Sequence, residues 1–181
     1  SGSGGAGIFA AVHASKSGAD VIIVSKEPSG YGDTRISLGA MCKSPEGLLD
    51  SKRKFAEDMI TGGRFLNDAK LVNALVEEAT PAAISLENYG HIFKRRSSGK
   101  LDNSFGKFGG HRYNRTVISP AFGGSMGQAM RSGLARAGVL VMEETICAEM
   151  ITAKDGVAGA VVLCMKTGEV TAILAKSVIV A

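Results

Sequence analysis

The first seven residues carry a glycine pattern whose spacing suits it to holding a phosphate. Gly2, Gly4 and Gly7 match G-x-G-x-x-G. An apolar run typical of a helix follows through Val12 and stops at Gly18. In such a turn one glycine permits the tight bend, one lets backbone approach a pyrophosphate and one allows helix and strand to pack closely. The helix N-terminus then faces the negative charge, so the pattern predicts the phosphate turn of a dinucleotide-binding βαβ unit.

A strand and a glycine-rich segment follow this helix. Residues 21–24 form a continuous β-branched run, which is typical of a parallel strand covered on both faces. The stretch 25–44 is rich in Gly, Ser, Asp and Pro and has no clear period, which predicts a loop at the carboxyl end of that strand. Ligands of open α/β sheets bind at this edge, so the loop is a candidate binding segment.

The middle of the chain is predicted to be mainly helical around one basic loop. Helices are expected from Ser44-Pro45-Glu46 to Ile60, after the cap Asn67-Asp68, and from Gly124 to Ala137, before Gly138. Thr80-Pro81 is expected to divide the second stretch into two successive helices that stop at Gly90. Residues 94–116 hold many Lys, Arg and His side chains among glycines, which predicts an irregular basic loop.

Strand-like runs dominate from Val139 onward. Asp155-Gly156 and Thr167-Gly168 separate the last three of them, which predicts a short antiparallel meander within residues 139–175. The final apolar run, 178–181, is predicted to rejoin the main sheet as a buried strand. Because the glycine turn lacks its preceding strand and the chain stops inside another, we expect residues 1–181 to be part of a longer protein.

Composition excludes several classes of protein. The 181 residues are 45% hydrophobic and 21% charged, which argues against a disordered or fibrous chain. A net charge of +4 is too small to predict a nucleic-acid-binding protein. No apolar run approaches the roughly 20 residues of a membrane-spanning helix, and no signal segment opens the chain. Cys42, Cys147 and Cys164 are odd in number and widely spaced, which argues against a disulfide framework or metal site and favours a reducing compartment.

Three groups of residues, taken in order, resemble one family. They are Gly-Ser-Gly-Gly-Ala-Gly at 2–7, Val-Ser-Lys at 24–26 and Gly-Asp-Thr-Arg-Ile-Ser-Leu-Gly-Ala at 32–40. This set is similar to the flavoprotein subunits of succinate dehydrogenase and fumarate reductase, of which L-aspartate oxidase is a close relative. Phe-Gly-Gly-His at 108–111, Arg-Thr at 115–116 and the run 175–181 resemble later segments of the same superfamily. The resemblance implies an α/β fold, a doubly wound, FAD-binding Rossmann-like domain with a small antiparallel β meander.

The resemblance also implies which residues hold FAD. The glycine turn would hold the pyrophosphate, and Ser25 and Lys26 would meet the adenosine ribose and the adjacent phosphate. Many dinucleotide proteins place an acidic residue where Ser25 stands, and its absence here weakens an NAD interpretation. The third group would follow the flavin ring, and backbone groups of Cys147 or Ala148 would meet the adenine edge. The residues expected to bind the cofactor are Ser3, Gly4, Gly5, Ala6, Gly7, Ser25, Lys26, Asp33, Thr34, Ser37, Leu38, Gly39, Ala40, Ala148 and Ala181.

One departure from the family pattern has chemical content. Membrane-complex members carry a His before the Thr, and its ring nitrogen is bonded to the flavin methyl group, whereas this chain has Asp33 before Thr34. A carboxylate does not form that linkage, so we expect FAD to be bound non-covalently. A covalent flavin favours succinate oxidation, and its loss shifts the expectation toward fumarate reduction or an oxidase.

The family reaction passes a hydride between flavin N5 and a small dicarboxylate while an Arg moves the proton, which interconverts succinate and fumarate. The residues for this chemistry lie in a capping domain and a later segment of the family, so no catalytic residue is predicted within 1–181, and this part alone is expected to be inactive. His111, Arg112 and Arg115 would either reach a substrate carboxylate or the flavin, or form a solvated basic loop.

The resemblance extends to partners and location, and it leaves alternatives open. Expected partners are the dicarboxylate and an iron-sulfur subunit, with no nucleic acid and no transmembrane segment of the chain itself. The expected location is cytoplasmic, or peripheral to the inner face of the membrane. The alternatives are an L-aspartate oxidase, a non-catalytic FAD-binding module and an NAD- or S-adenosylmethionine-binding domain. The last of these gives no reason for the residues at 32–40.

Overall fold

The computed structural model describes residues 2–45 and 48–181, which divide into two compact units. The first comprises the described residues up to Ile36 together with Met126–Ala181, and the second comprises those within Ser37–Ser125. The elements in chain order are α1 (Gly5–Lys16), β1 (Ile22–Val24), α2 (Asp33–Ile36), β2 (Ala40–Cys42), α3 (Lys52–Gly62), α4 (Ala69–Asn88), β3 (Thr116–Ile118), α5 (Phe122–Ala137), β4 (Leu140–Met142), β5 (Thr145–Ala153), β6 (Gly156–Cys164) and β7 (Val170–Leu174).

The first unit contains the glycine turn, the helix and the strand in the predicted order. α1 buries Ile8, Ala11 and Val12, and it ends where Gly18 adopts a left-handed φ of 88°. β1 pairs in parallel with β4, with Ile23 opposite Val141. The parallel pairing predicted for residues 21–24 is therefore confirmed, whereas the predicted cover on both faces is not, because Ile23 is buried but Ile22 is 43% exposed.

The antiparallel meander is confirmed as the sheet β5-β6-β7. Gly156 and Gly168 lie at its two turns with φ of 134° and 74°, a region that glycine enters without steric cost. β4 is not part of this sheet although it falls within 139–175, because its edge is used by β1. The terminal run 178–181 contains no strand, which corrects the prediction made for it, although Ala181 lies beside Gly2.

The second unit is built around the helices α3 and α4. Phe55 of α3 packs with Val72, Val76 and Ala79 of α4 in one buried cluster. α4 begins after Asp68, whose carboxylate accepts hydrogen bonds from the N–H groups of Lys70 and Leu71, as the predicted cap requires.

Two helix predictions are wrong in this unit. α4 is a single 20-residue helix that continues through Pro81, because buried side chains on both sides of the proline hold it together. α3 begins at Lys52, after the cap Ser51, whose hydroxyl accepts from the N–H of Lys54. The predicted start at Ser44-Pro45-Glu46 is wrong because Ser44 and Pro45 are not helical; Glu46 lies outside the described residues.

The segment 25–44 is not a continuous loop. It contains the single helical turn α2 and the short strand β2. β2 pairs antiparallel with β3, with Met41 opposite Val117, and this long-range pairing has no counterpart in the local sequence period. No helix of 2–45 or 48–181 is both long and apolar enough to cross a membrane.

Candidate functional site

The glycine turn before α1 is shaped by close backbone approaches. The N–H of Gly2 donates to the carbonyl of Val24 at 2.8 Å, which places the turn at the end of β1. A Cβ on Gly7 would overlap the carbonyl oxygen of Gly2, and Gly2 itself has a φ of 102°. Both positions therefore require glycine for reasons internal to the fold, as the motif predicts.

Gly4 differs from these glycines because the space beside it is open. It is the N-cap of α1, its backbone is extended, and no described heavy atom lies within 4 Å of the position that a Cβ would take. The N-cap residue itself supplies no side-chain cap, and the first turn of α1 carries no acidic residue. A helix N-terminus that is open at Gly4 and has no acidic side chain beside it fits an anionic group such as a pyrophosphate.

Two buried serines connect this turn to the end of β1. The hydroxyl oxygens of Ser3 and Ser25 lie 2.6 Å apart, and both residues are buried. The structure therefore places Ser25 beside the phosphate turn, with its hydroxyl already paired. Lys26, the next residue, is exposed. A ribose contact for Ser25 and Lys26 stays a prediction.

Thr34 is also brought to the phosphate turn. It lies with Asp33 in α2, and its hydroxyl accepts a hydrogen bond from the N–H of Gly5 at 3.2 Å. The remaining predicted residues of this stretch, at 37–40, belong to the second unit. There Gly39 has a φ of 63°, and a Cβ on it would overlap the backbone of Phe122.

The predicted adenine contact falls on a β-bulge. Cys147 pairs with Val162 and Glu149 pairs with Val161, so Ala148 has no partner on β6. A bulge leaves the backbone groups of the extra residue out of the ladder. An adenine contact at Ala148 stays a prediction.

Sequence reasoning did not find Glu143, which directly follows β4. Its carboxylate accepts hydrogen bonds from both the N–H and the hydroxyl of Ser29, each at 2.8 Å. These bonds, together with the charge of Arg131, lower the pKa of Glu143. The sequence feature that could have pointed to Glu143 is a carboxylate directly after a predicted parallel strand, because ligands of open α/β sheets bind at the carboxyl ends of the strands.

The solvated-loop interpretation of the basic residues is wrong for Arg115. Its side chain is only 1% exposed, and it forms ion pairs with Asp50 at 2.7 Å and with Asp58 at 2.8 Å. Arg112 also pairs with Asp58, and with Glu57 at 2.9 Å. Burial raises the pKa of Asp58, but hydrogen bonds from both arginines outweigh it and hold this pKa below its ordinary value. These two cations are satisfied inside the second unit.

His111 lies in an apolar part of the second unit. Its Nδ1 atom is 3.8 Å from the sulfur of Cys42, and its ring meets the edge of Phe55 at 5.3 Å between centroids. Burial and the nearby charge of Arg115 lower the pKa of His111, which favours the neutral ring. Burial likewise raises the pKa of the Cys42 thiol, which favours its protonated form.

Comparison with known proteins decides the family. The FAD binding domain family matches residues 2–181. The chain belongs to this family. It is 34% identical over 187 residues to a fumarate reductase (CoM/CoB) subunit of Methanothermobacter marburgensis, covering 99% of this chain and 33% of that protein. It is 25% identical over 188 residues to a mitochondrial succinate dehydrogenase (ubiquinone) flavoprotein subunit of Xenopus laevis, covering 99% and 28%.

A solved structure agrees with these relatives. The Sdh1 complex of Mycobacterium smegmatis in its apo form superposes with a TM-score of 0.87 at 27% identity, over 96% of this chain and 32% of that one. The resemblance to succinate dehydrogenase and fumarate reductase flavoproteins is therefore confirmed, as are the α/β fold and FAD as the cofactor of the family. The chain spans about a third of the length of the curated relatives it matches.

The residues of the phosphate turn fit FAD. The N-terminus of α1 has no acidic residue in its first turn, the space at Gly4 is open and the hydroxyl of Thr34 lies nearby, which together suit the pyrophosphate of an FAD-binding domain. At Gly7 the carbonyl of Gly2 leaves no room for a Cβ, whereas at Gly4 the described structure would accommodate one. Gly7 is therefore a structural glycine, whereas a cofactor contact at Gly4 stays a prediction.

Proposed function

We propose that this chain is the FAD-binding part of an oxidoreductase that interconverts succinate and fumarate. The observation that carries the proposal is the open N-terminus of α1 at Gly4, which has no acidic residue in its first turn, in a chain of the FAD binding domain family. Its relatives are named as subunits of a fumarate reductase and of a succinate dehydrogenase, and these names support the reaction class.

The chain's own residues would bind and orient the cofactor. N–H groups at the start of α1 would face the pyrophosphate, Ser25 and Lys26 would lie at the adenosine, and Ala148 would offer backbone groups to the adenine. Thr34 and the residues at 37–40 would follow the flavin ring. FAD would supply hydride transfer at flavin N5. No residue of 1–181 is proposed to move the substrate proton, and residues 1–181 alone are proposed to be inactive.

We propose that FAD is held without a covalent bond, because Asp33 occupies the position of the linking His. All affinity must then come from non-covalent contacts, so FAD binding is a reversible equilibrium that a titration measures directly. A covalent adduct would give no such equilibrium.

The proposed partners are a small dicarboxylate and an iron-sulfur subunit. Relatives named as subunits support function within a complex. Co-purification of the full-length protein with an iron-sulfur protein tests this partner, and fractionation tests the proposed cytoplasmic location, or peripheral attachment at the inner face of the membrane.

Gly4→Ala tests the cofactor site directly. The backbone of Gly4, with φ of −75° and ψ of −172°, accepts Ala, and no described atom obstructs the new Cβ. The apo protein should therefore keep its thermal midpoint, while a methyl group against the pyrophosphate should raise the dissociation constant for FAD by about tenfold or more, roughly 1.4 kcal/mol. Isothermal titration of the full-length apoprotein with FAD measures this.

Gly124→Ala is the matched control. Gly124 lies in α5 with no described atom near its Cβ position, so this variant adds the same methyl group outside the glycine turn. It should leave FAD affinity unchanged. Equal affinities for Gly4→Ala and Gly124→Ala would refute the proposed pyrophosphate position.

Substrate assays on the full-length protein decide the reaction. Oxidation of succinate or reduction of fumarate by the FAD-loaded protein is expected, with aspartate not oxidised. Oxidation of aspartate alone would identify an L-aspartate oxidase instead. FAD binding without turnover of any of the three would favour the non-catalytic module.

A further inference from the structure

A buried turn at residues 28–30 is fixed by one carboxylate from a distant part of the sequence. The Oε1 atom of Glu143 accepts from the N–H and the hydroxyl of Ser29, each at 2.8 Å, and Ser29 is only 6% exposed. One oxygen therefore satisfies both donors of a buried residue. Without it, a backbone N–H and a hydroxyl would lose their acceptor.

The same turn is attached to the phosphate turn on one side and to α5 on the other. The N–H of Gly30 donates to the carbonyl of Ser3 at 3.1 Å. Gly30 and Gly127 approach so closely that a Cβ on either would overlap the carbonyl oxygen of the other. Residues 28–30 are thus held by the phosphate turn, by Gly127 of α5 and by Glu143, all within the first unit.

This turn connects two groups of predicted cofactor residues. Ser25 and Lys26 precede it, and Asp33 and Thr34 follow it. A displacement at Ser29 would move both groups and would also move Ser3 through its contact with Gly30. A turn that is ordered before the ligand arrives spares the ligand the free energy of ordering it.

We propose that Glu143 is a positioning residue that sets FAD affinity through Ser29 without contacting FAD. This inference rests on the proposed cofactor site. It assigns a function to a side chain that neither the glycine motif nor the family resemblance singles out.

The test is a double-mutant cycle on FAD binding by the full-length apoprotein. Glu143→Ala removes the acceptor of both Ser29 donors and should raise the FAD dissociation constant about tenfold. Glu143→Gln keeps an amide oxygen that accepts from both donors and should recover most of the lost affinity. Ser29→Ala removes one donor, and its effect should be non-additive with that of Glu143→Ala.

Glu144→Ala is the matched control, because it removes the adjacent exposed carboxylate and has the same effect on net charge. It should bind FAD as the wild type does. The thermal midpoint of each apoprotein is measured alongside, and if Glu143→Ala fails to fold, the Gln and Ser29→Ala variants still decide the outcome.

Three results would overturn the inference. The first is that Glu143→Ala binds FAD as tightly as the wild type. The second is that the effects of Glu143→Ala and Ser29→Ala on FAD affinity are additive. The third is that Glu143→Gln loses as much affinity as Glu143→Ala while the thermal midpoints of both variants are unchanged. The last two would indicate a direct contact of Glu143 with FAD. Failure of the proposed function is distinct, since the wild-type apoprotein itself would then not bind FAD.

Discussion

Replacing Asp58 with Ala should destabilise the second unit, because it removes a carboxylate shared by two arginines. Oδ2 of Asp58 accepts from Nη1 of Arg115 at 2.8 Å and from the backbone N–H of Arg112 at 3.0 Å. Oδ1 accepts from Nε of Arg112. Asp58 lies on α3, so the substitution detaches that helix from the segment that carries both arginines.

The expected magnitude depends on which donors water can reach. The Arg112 side chain is 50% exposed, so solvent replaces its side-chain bond, whereas that of Arg115 is 1% exposed. Arg115 keeps two hydrogen bonds to Asp50, both at 2.7 Å, and is not left wholly unpaired. Removing one partner of a buried ion pair costs 3–5 kcal/mol, and the retained pair places this variant at the lower end, about 3 kcal/mol.

Hydrogen exchange of the α3 amides in the full-length protein measures this loss, since exchange rates report the free energy of opening a local unit. A loss of about 3 kcal/mol corresponds to exchange that is over a hundredfold faster. Glu57→Ala is the control, because Glu57 binds the same Arg112 from the adjacent position of α3 but is half-exposed, so its rates should stay near those of the wild type. Equal acceleration in both variants would refute the assignment of the cost to the buried pair.

Three further predictions follow from individual residues. The folded state lowers the pKa of Asp58, so the stability that Asp58 contributes is fully present above the ordinary Asp pKa of about 3.9 and is lost as pH falls below that value through the folded-state pKa. Acid unfolding followed by circular dichroism should show this loss of stability. Asp58→Asn should abolish this part of the pH dependence. Pro81→Ala restores an N–H that can donate to the carbonyl of Glu77, and should raise the stability of α4 by about 1–3 kcal/mol; unchanged exchange of the α4 amides would contradict this. FAD should appear entirely in the supernatant after acid precipitation of the holoprotein, and flavin retained in the pellet would show that Asp33 does not prevent a covalent bond.

Local sequence signals predict the elements whose determinants lie within a few residues. The cap Asp68 sets the start of α4, and Gly138 follows α5 with a φ of 66°. Gly156 and Gly168 mark the turns of the meander in the same way. Each of these positions depends on the hydrogen bonding or the backbone freedom of one residue, so tertiary contacts do not change the local preference.

Predictions fail where distant residues supply the deciding free energy. Pro81 should interrupt a helix, yet buried residues before and after it keep α4 continuous. β2 exists because β3 pairs with it from far along the chain. Arg115 is buried because Asp50 and Asp58 neutralise it, and the local run of basic residues gives no indication of those partners.

The candidate site divides in the same way between sequence and tertiary structure. The glycine spacing by itself determined the tight turn before α1, because the carbonyl of Gly2 approaches Gly7 too closely for any side chain there. Only the tertiary structure decided that Ser25 pairs with Ser3, that Thr34 reaches the start of α1 and that Glu143 holds Ser29. A backbone conformation is a property of one residue and its neighbours, whereas a hydrogen bond between residues 114 positions apart exists only after the chain has folded.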